Sequence, residues 1–220
     1  VEEVGLLSIL VFGFILGIKH AIEPDHVIAV STIASQSKKL WRSSLAGVFW
    51  GVGHTATLFV VGIVLILMKG ELPEKWAMSL EFLVGIMLVY FGVAAVRSVK
   101  TARNQGHEHV HQPRDVSYTK SMFMGLIHGL AGSAAMVLLT MSTVNTVWEG
   151  AAYIFIFGAG TVVGMLFFTT IIGIPFVFSA GKMRINKALT QATGVISTGF
   201  GFYYMYNLGI TEGLFQLWMQ

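Results

Sequence analysis

The chain has 220 residues, of which 55% are hydrophobic and 11% charged, against about 25% charged in ordinary soluble domains. This composition, with its 25 glycines, argues against a water-soluble fold and for membrane-spanning helices. No cysteine is present and the net charge is only +3, which removes disulfides, thiolate metal ligands and any basic face for nucleic acid.

A helix crossing the hydrocarbon core needs about 20 mainly apolar residues. By that rule six segments follow in chain order, at residues 4–34, 43–68, 76–96, 119–141, 147–178 and 188–208. The first and fifth exceed a straight crossing, which calls for tilt, a break or a protruding end. Basic residues fall on alternate connections. Lys38, Lys39 and Arg42 follow the first segment, Arg97, Lys100, Arg103, Arg114 and Lys120 the third, and Lys182, Arg184 and Lys187 the fifth. The opposite connections hold only Lys69 and Lys75. The positive-inside rule makes the basic side cytoplasmic and leaves both termini outside.

The two halves resemble each other. Gly17-Ile-Lys-His20-Ala-Ile reads against Gly125-Leu-Ile-His128-Gly-Leu at an offset of 108. Gly51 and Gly53 read against Gly158 and Gly160 at 107, and Gly85 and Gly92 against Gly194 and Gly201 at 109. Three helices per half is an odd number, so the second copy enters the membrane from the other side, an arrangement recurrent in transporters. The expected fold is all-α: a polytopic membrane protein forming one transmembrane domain over 1–220. Repeat one covers about 4–100 and repeat two about 119–210. A cytoplasmic loop at about 101–118 joins them, and the first helix is broken near Pro24.

Ionisable groups concentrate in His20-Ala-Ile-Glu-Pro-Asp-His26, with Lys19 just ahead and apolar sequence on both sides. Within a bilayer such groups cost roughly 2.5–3.5 kcal/mol each at mid-depth, so a function has to retain them. On an unbroken helix Asp25 lies about 140° and His26 about 240° round from His20. Pro24 cannot donate an amide hydrogen bond and crowds the His20 carbonyl four residues back; a kink there lets His20, Asp25 and His26 converge. A helix end at the membrane surface would also carry such residues, but the apolar run continues through 27–34. His54 and His128 sit on glycine stripes, with Gly47 and Gly51 in one case and Gly125, Gly129 and Gly132 in the other. Small residues at that spacing turn a helix face inward. Imidazole and carboxylate without thiolate suit nickel, cobalt, zinc or copper(II); Met136 is a further thioether donor two turns beyond His128.

The His-x4-Asp-His pattern, with Gly53-His54-Thr55-Ala-Thr-Leu-Phe59 on the next helix, resembles the nickel/cobalt transporter family. In the second half, Gly125-Leu-Ile-His128-Gly-Leu-Ala-Gly-Ser133 resembles a shorter, six-helix branch associated with urease accessory function. The acidic Asp-Thr motifs of longer members are not found. The resemblance implies that His20, Asp25 and His26 bind metal and that His54 completes or relays the site; repeat symmetry adds His128. Glu23 and Lys19, four apart, could pair and hold the broken segment. His107, His109 and His111 could collect metal, modulate its release or belong to a solvated linker.

The function expected is a secondary permease importing Ni²⁺ or Co²⁺ across the cytoplasmic membrane. The metal is its transported substrate, lipid its surroundings, and maturation of a nickel enzyme such as urease its functional link. No Gly-x4-Gly-Lys-Ser/Thr motif occurs, so this chain does not itself bind nucleotide in a P-loop. A dication moving down the membrane potential gains about 4.6 kcal/mol per 100 mV. Export on the same scaffold is the alternative. A membrane metalloenzyme is disfavoured because the chain lacks His-x-x-His-His boxes.

Overall fold

The computed structural model describes residues 2–37, 39–68, 72–104, 117–143 and 146–219, and among these residues there is no strand. The helices are α1 (Glu2–His20), α2 (Pro24–Ala34), α3 (Leu40–Met68), α4 (Glu74–Asn104), α5 (Tyr118–Thr143), α6 (Val147–Phe178) and α7 (Met183–Tyr206). A π-helical turn (Asn207–Thr211) and the short α8 (Leu214–Met219) follow; neither was anticipated. Every predicted segment is helical, and the fifth coincides with α6 residue for residue. It is a single helix rather than a broken one, although Pro175 lies in its last turn.

Helix α3, residues Glu74–Val99 of α4, and α6 are long and apolar enough to cross a membrane. Residues Leu7–His20 and Pro24–Ala34 are so when taken together, as a broken span or a re-entrant pair bent by 56°. The bend lies at 21–23, immediately before Pro24, where the break was expected. Proline fits the first turn of a helix, where its missing N–H costs nothing, and Pro24 opens α2. The residue before proline is driven to extended backbone, and Glu23 has φ −61° and ψ 145°. The His20 carbonyl is not freed by the break, because the Glu23 amide donates to it at 3.1 Å.

The burial pattern is that of a soluble protein turned inside out. Large apolar side chains such as Val60, Leu67, Tyr90, Phe123 and Phe167 are exposed, while His26, His54, His128, Ser43, Thr161 and Ser197 are buried. An exposed apolar surface of this extent requires an apolar surrounding. Four of the five tryptophans, Trp41, Trp76, Trp148 and Trp218, are exposed close to a helix end, the placement favoured at membrane–water boundaries. The fifth, Trp50, is wholly buried.

Glycine sets how the helices meet, since a side chain at these positions would strike a facing backbone. A Cβ on Gly17 would meet the Phe157 carbonyl, and one on Gly125 the Trp50 carbonyl. Gly53 faces the Met122 carbonyl and Gly160 that of Phe14; Gly51 faces Val162 and Gly158 faces Thr55. Gly85 faces Gly201, and Gly194 faces Gly92. In each pair, adding 107–109 to one partner and subtracting it from the other turns the first contact into the second. The same contacts fix direction. Helix α1 runs parallel to α6, α3 runs parallel to α5, and α3 runs antiparallel to α6, so α1 and α5 point in opposite directions. The most extensive pairings are α3 with α5 and α6, α4 with α7, and α1 with α6.

Candidate metal centre

Four helices bring the ionisable residues together. His20 ends α1, Asp25 and His26 lie in the first turn of α2, His54 is in α3 and His128 in α5. The bend does what the angular argument required, because α2 starts afresh and turns Asp25 and His26 back toward the axis of α1. His26, His54 and His128 are 2%, 0% and 2% exposed.

The distances describe one connected cluster. His20 Nε2 lies 3.1 Å from His54 Nε2. Asp25 accepts from both neighbours, its Oδ1 from His26 Nδ1 at 3.1 Å and its Oδ2 from His128 Nε2 at 3.1 Å. The ring of His26 is 4.5 Å from that of His20, 5.2 Å from that of His54 and 4.6 Å from that of His128, centre to centre. Two sets of side chains bring donor atoms within 4.8 Å of one another: His20, His26 and His54, and Asp25, His26 and His128. Buried polar atoms normally have partners, yet His26 Nε2, His54 Nδ1 and His128 Nδ1 have none. Imidazole and carboxylate donors gathered this closely are suited to a cation.

Glu23 does not pair with Lys19 as the i,i+4 spacing suggested. Its Oε2 instead receives His20 Nδ1 at 2.9 Å, because the chain has left the helix at Glu23 and the i,i+4 geometry no longer applies. Lys19 and Glu23 both border a cavity of about 420 Å³ that also reaches His20, Asp25, His26 and His128. His54 is behind His20 rather than on the cavity wall. His107, His109 and His111, and the side chain of Met136, lie outside the described residues.

Two further cavity residues escaped the sequence reading. Glu81 of α4 and Tyr204 of α7 line the same cavity, and the Tyr204 hydroxyl donates to Glu81 Oε2 at 3.3 Å. A lone carboxylate within the apolar third segment was the available signal. Trp50 was also missed; its ring lies 5.1 Å from that of His128 and 6.2 Å from that of His26. Its indole Nε1 is buried without a partner.

A helical bundle with an apolar exterior, surrounding a cavity lined by imidazoles and carboxylates, is built as a membrane transport protein. The chain belongs to the LysE type translocator family, whose model matches residues 18–208. It is 63% identical to the urease accessory protein UreH of Bacillus sp. (strain TB-90), over the full length of both chains. It is 28% identical to the putative nickel/cobalt efflux system of Methanocaldococcus jannaschii, over 80% of this chain and 78% of that one. Chloroplast protein FOR GROWTH AND FERTILITY 1 of Arabidopsis thaliana is 25% identical over 86% of this chain, which spans 56% of that protein. No solved structure matches. The urease-accessory resemblance is thus borne out, within a family whose description is broader. That description is of translocators, and these relatives are named as accessory, efflux and growth proteins rather than as enzymes.

Proposed function

We propose that this chain is a secondary permease carrying Ni²⁺ or Co²⁺ into the cell across the cytoplasmic membrane, through the cluster of His20, Asp25, His26, His54 and His128. The observation that carries the reading is the cluster itself: four imidazoles and a carboxylate, from four helices, with three buried ring nitrogens unpartnered. Nitrogen and carboxylate donors suit borderline divalent metals and suit calcium or magnesium poorly. The names of the bacterial and archaeal relatives point the same way, to urease assembly and to nickel or cobalt.

The chain forms one transmembrane domain of six crossings. The bent pair α1–α2 is the first, and α3 to α7 are the others. The exchange of glycine contacts and the opposed directions of α1 and α5 support two inverted three-helix repeats. His54 lies 14 residues into α3, about 21 Å along it, and His128 ten residues into α5, about 15 Å. Both depths are near the middle of a core about 30 Å thick. The connections rich in lysine and arginine are cytoplasmic and the termini are outside. Two positive charges then move inward down the membrane potential, worth about 4.6 kcal/mol per 100 mV.

The test is nickel and cobalt accumulation in cells expressing the wild type, His20→Ala and Asp25→Asn. The wild type raises cellular metal, His20→Ala returns it to the level of cells lacking the protein, and Asp25→Asn falls between. Equal metal in all three strains rejects the reading. Export is the second reading, favoured by the name of the archaeal relative; release of preloaded radioactive nickel, rather than its uptake, would select it.

A further inference from the structure

Within the transport reading above, the geometry points to a more specific site: we propose that the metal is held by three imidazoles alone. These are the Nε2 atoms of His20, His26 and His54, with Asp25 and Glu23 orienting the rings instead of touching the metal.

The three rings come from α1, α2 and α3, each offering a nitrogen within 4.8 Å of the other two. Imidazole nitrogen binds a divalent ion such as zinc at about 2.0–2.1 Å. The 3.1 Å between His20 Nε2 and His54 Nε2 then corresponds to an angle of about 100° at the ion, between octahedral and tetrahedral values. Neither ring has to move to accept it.

For His20 and His26, which nitrogen is free follows from the other nitrogen of the ring; His54 is placed by the 3.1 Å approach of its Nε2 to that of His20. Metal-binding histidines donate the far N–H to a carboxylate or carbonyl, which fixes the tautomer and the ring orientation. His20 Nδ1 meets Glu23 Oε2 at 2.9 Å and His26 Nδ1 meets Asp25 Oδ1 at 3.1 Å. Both rings therefore turn an unprotonated Nε2 inward. That of His26 is buried with no partner in the protein, which leaves its lone pair available to a cation.

The competing set, Asp25, His26 and His128, explains less. It gives no role to the pairing of His20 Nε2 with His54 Nε2 at 3.1 Å. It also requires Asp25 to bind metal with oxygens that already accept from His26 and His128. In the tripod those two hydrogen bonds stay in place. A neutral set of three imidazoles binds Ni²⁺ or Co²⁺ while two carboxylates offset the charge from one bond further out. Such a site can hold its ion and still release it, as carriage requires.

The test is X-ray absorption at the nickel edge on the full chain in detergent with one equivalent of Ni²⁺, counting imidazoles by their multiple scattering. The wild type gives three. His20→Ala, His26→Ala and His54→Ala each give two, and His54→Gln gives two where the alanine variant does not fold. Asp25→Asn, whose amide oxygen still accepts the His26 N–H, keeps three imidazoles and loses about 10–100-fold in affinity. His128→Ala also keeps three. A wild-type count of two that falls in His128→Ala and not in His54→Ala overturns the tripod and leaves the transport reading standing. A wild type that binds no nickel overturns both.

Discussion

The two halves of the molecule share a frame and not a chemistry. Gly17 against the Phe157 carbonyl has its counterpart in Gly125 against Trp50, and Gly53 against Met122 in Gly160 against Phe14. The donors are distributed quite differently. The first half supplies His20, Asp25, His26 and His54, and the second supplies His128, the counterpart of His20. At the positions matching Asp25 and His26 stand Ser133 and Ala134, and at that matching His54 stands Thr161. The Thr161 hydroxyl is spent on the Phe157 carbonyl at 3.1 Å. The bend at 21–23 has no counterpart either, since α5 continues through Gly129, Leu130, Ala131 and Gly132. Close helix packing constrains only the positions where backbones touch. Between those positions the halves were free to diverge, and one of them carries four of the five clustered ionisable side chains.

The largest effect expected from that asymmetry is on pH dependence. A protonated imidazole cannot bind metal, so protons compete with nickel on the acid side of the profile. If three imidazoles must each shed a proton, affinity falls by up to about a thousandfold per unit in the acid limb, or about 4 kcal/mol. Replacing His54 by the residue type of its counterpart, His54→Thr, leaves two imidazoles in the first half and makes the acid limb shallower by about tenfold per unit. Nickel titration against a chromophoric chelator between pH 5 and 7.5 measures both slopes. An acid limb no shallower in His54→Thr than in the wild type excludes His54 as a ligand.

Next in size is a test of the shared frame. Gly17→Val and Gly125→Val each drive a side chain into a facing carbonyl, and overpacking of this kind costs about 1–3 kcal/mol. Thermal unfolding in detergent should show two losses of similar size. Gly199→Ala is the control, with nothing within 4 Å of the added carbon and an expected gain of no more than about 1 kcal/mol. A damaging Gly17→Val beside a harmless Gly125→Val would show that the exchange of contacts does not extend to their energetics.

The frame was more legible in the sequence than the site. Helix positions follow from apolar length, and the residues at the contact points are glycines, which a single sequence displays at matching offsets. The ligand residues were also visible, because His20, Asp25, His26, His54 and His128 are conspicuous in apolar surroundings. Their connections were not. That Glu23 serves His20 and not Lys19 depends on the chain leaving the helix at 21–23, and the spacing rule for Glu23 and Lys19 assumes a helix that stops just before it matters. That Glu81 and Tyr204 share the cavity depends on α4 packing along α7. No local pattern within either helix encodes that pairing. Pro24 marked the break but not the fate of the His20 carbonyl, since a proline that interrupts a helix and one that begins the next look alike in sequence.

The smallest effect comes from a contact between matched positions. Ser197 and Leu88 are separated by 109 residues, the offset of their helices, and the Ser197 hydroxyl donates to the Leu88 carbonyl at 2.8 Å. These matched residues touch because α4 packs along α7; in the inverted-repeat reading that crossing is the axis between the halves. The bond is made once, because the first half offers a leucine where the second offers a hydroxyl. Ser197 is wholly buried, so water cannot replace the lost donor, but the carbonyl belongs to a helix and keeps its place in the ladder of α4. Ser197→Ala should therefore cost about 1 kcal/mol, the net worth of one neutral hydrogen bond, measured by the same thermal unfolding. A loss of 3 kcal/mol, as large as the upper end for the glycine variants, would mean that the crossing depends on this hydroxyl for its packing as well as for its bond, and that the axis itself is where the halves are least interchangeable.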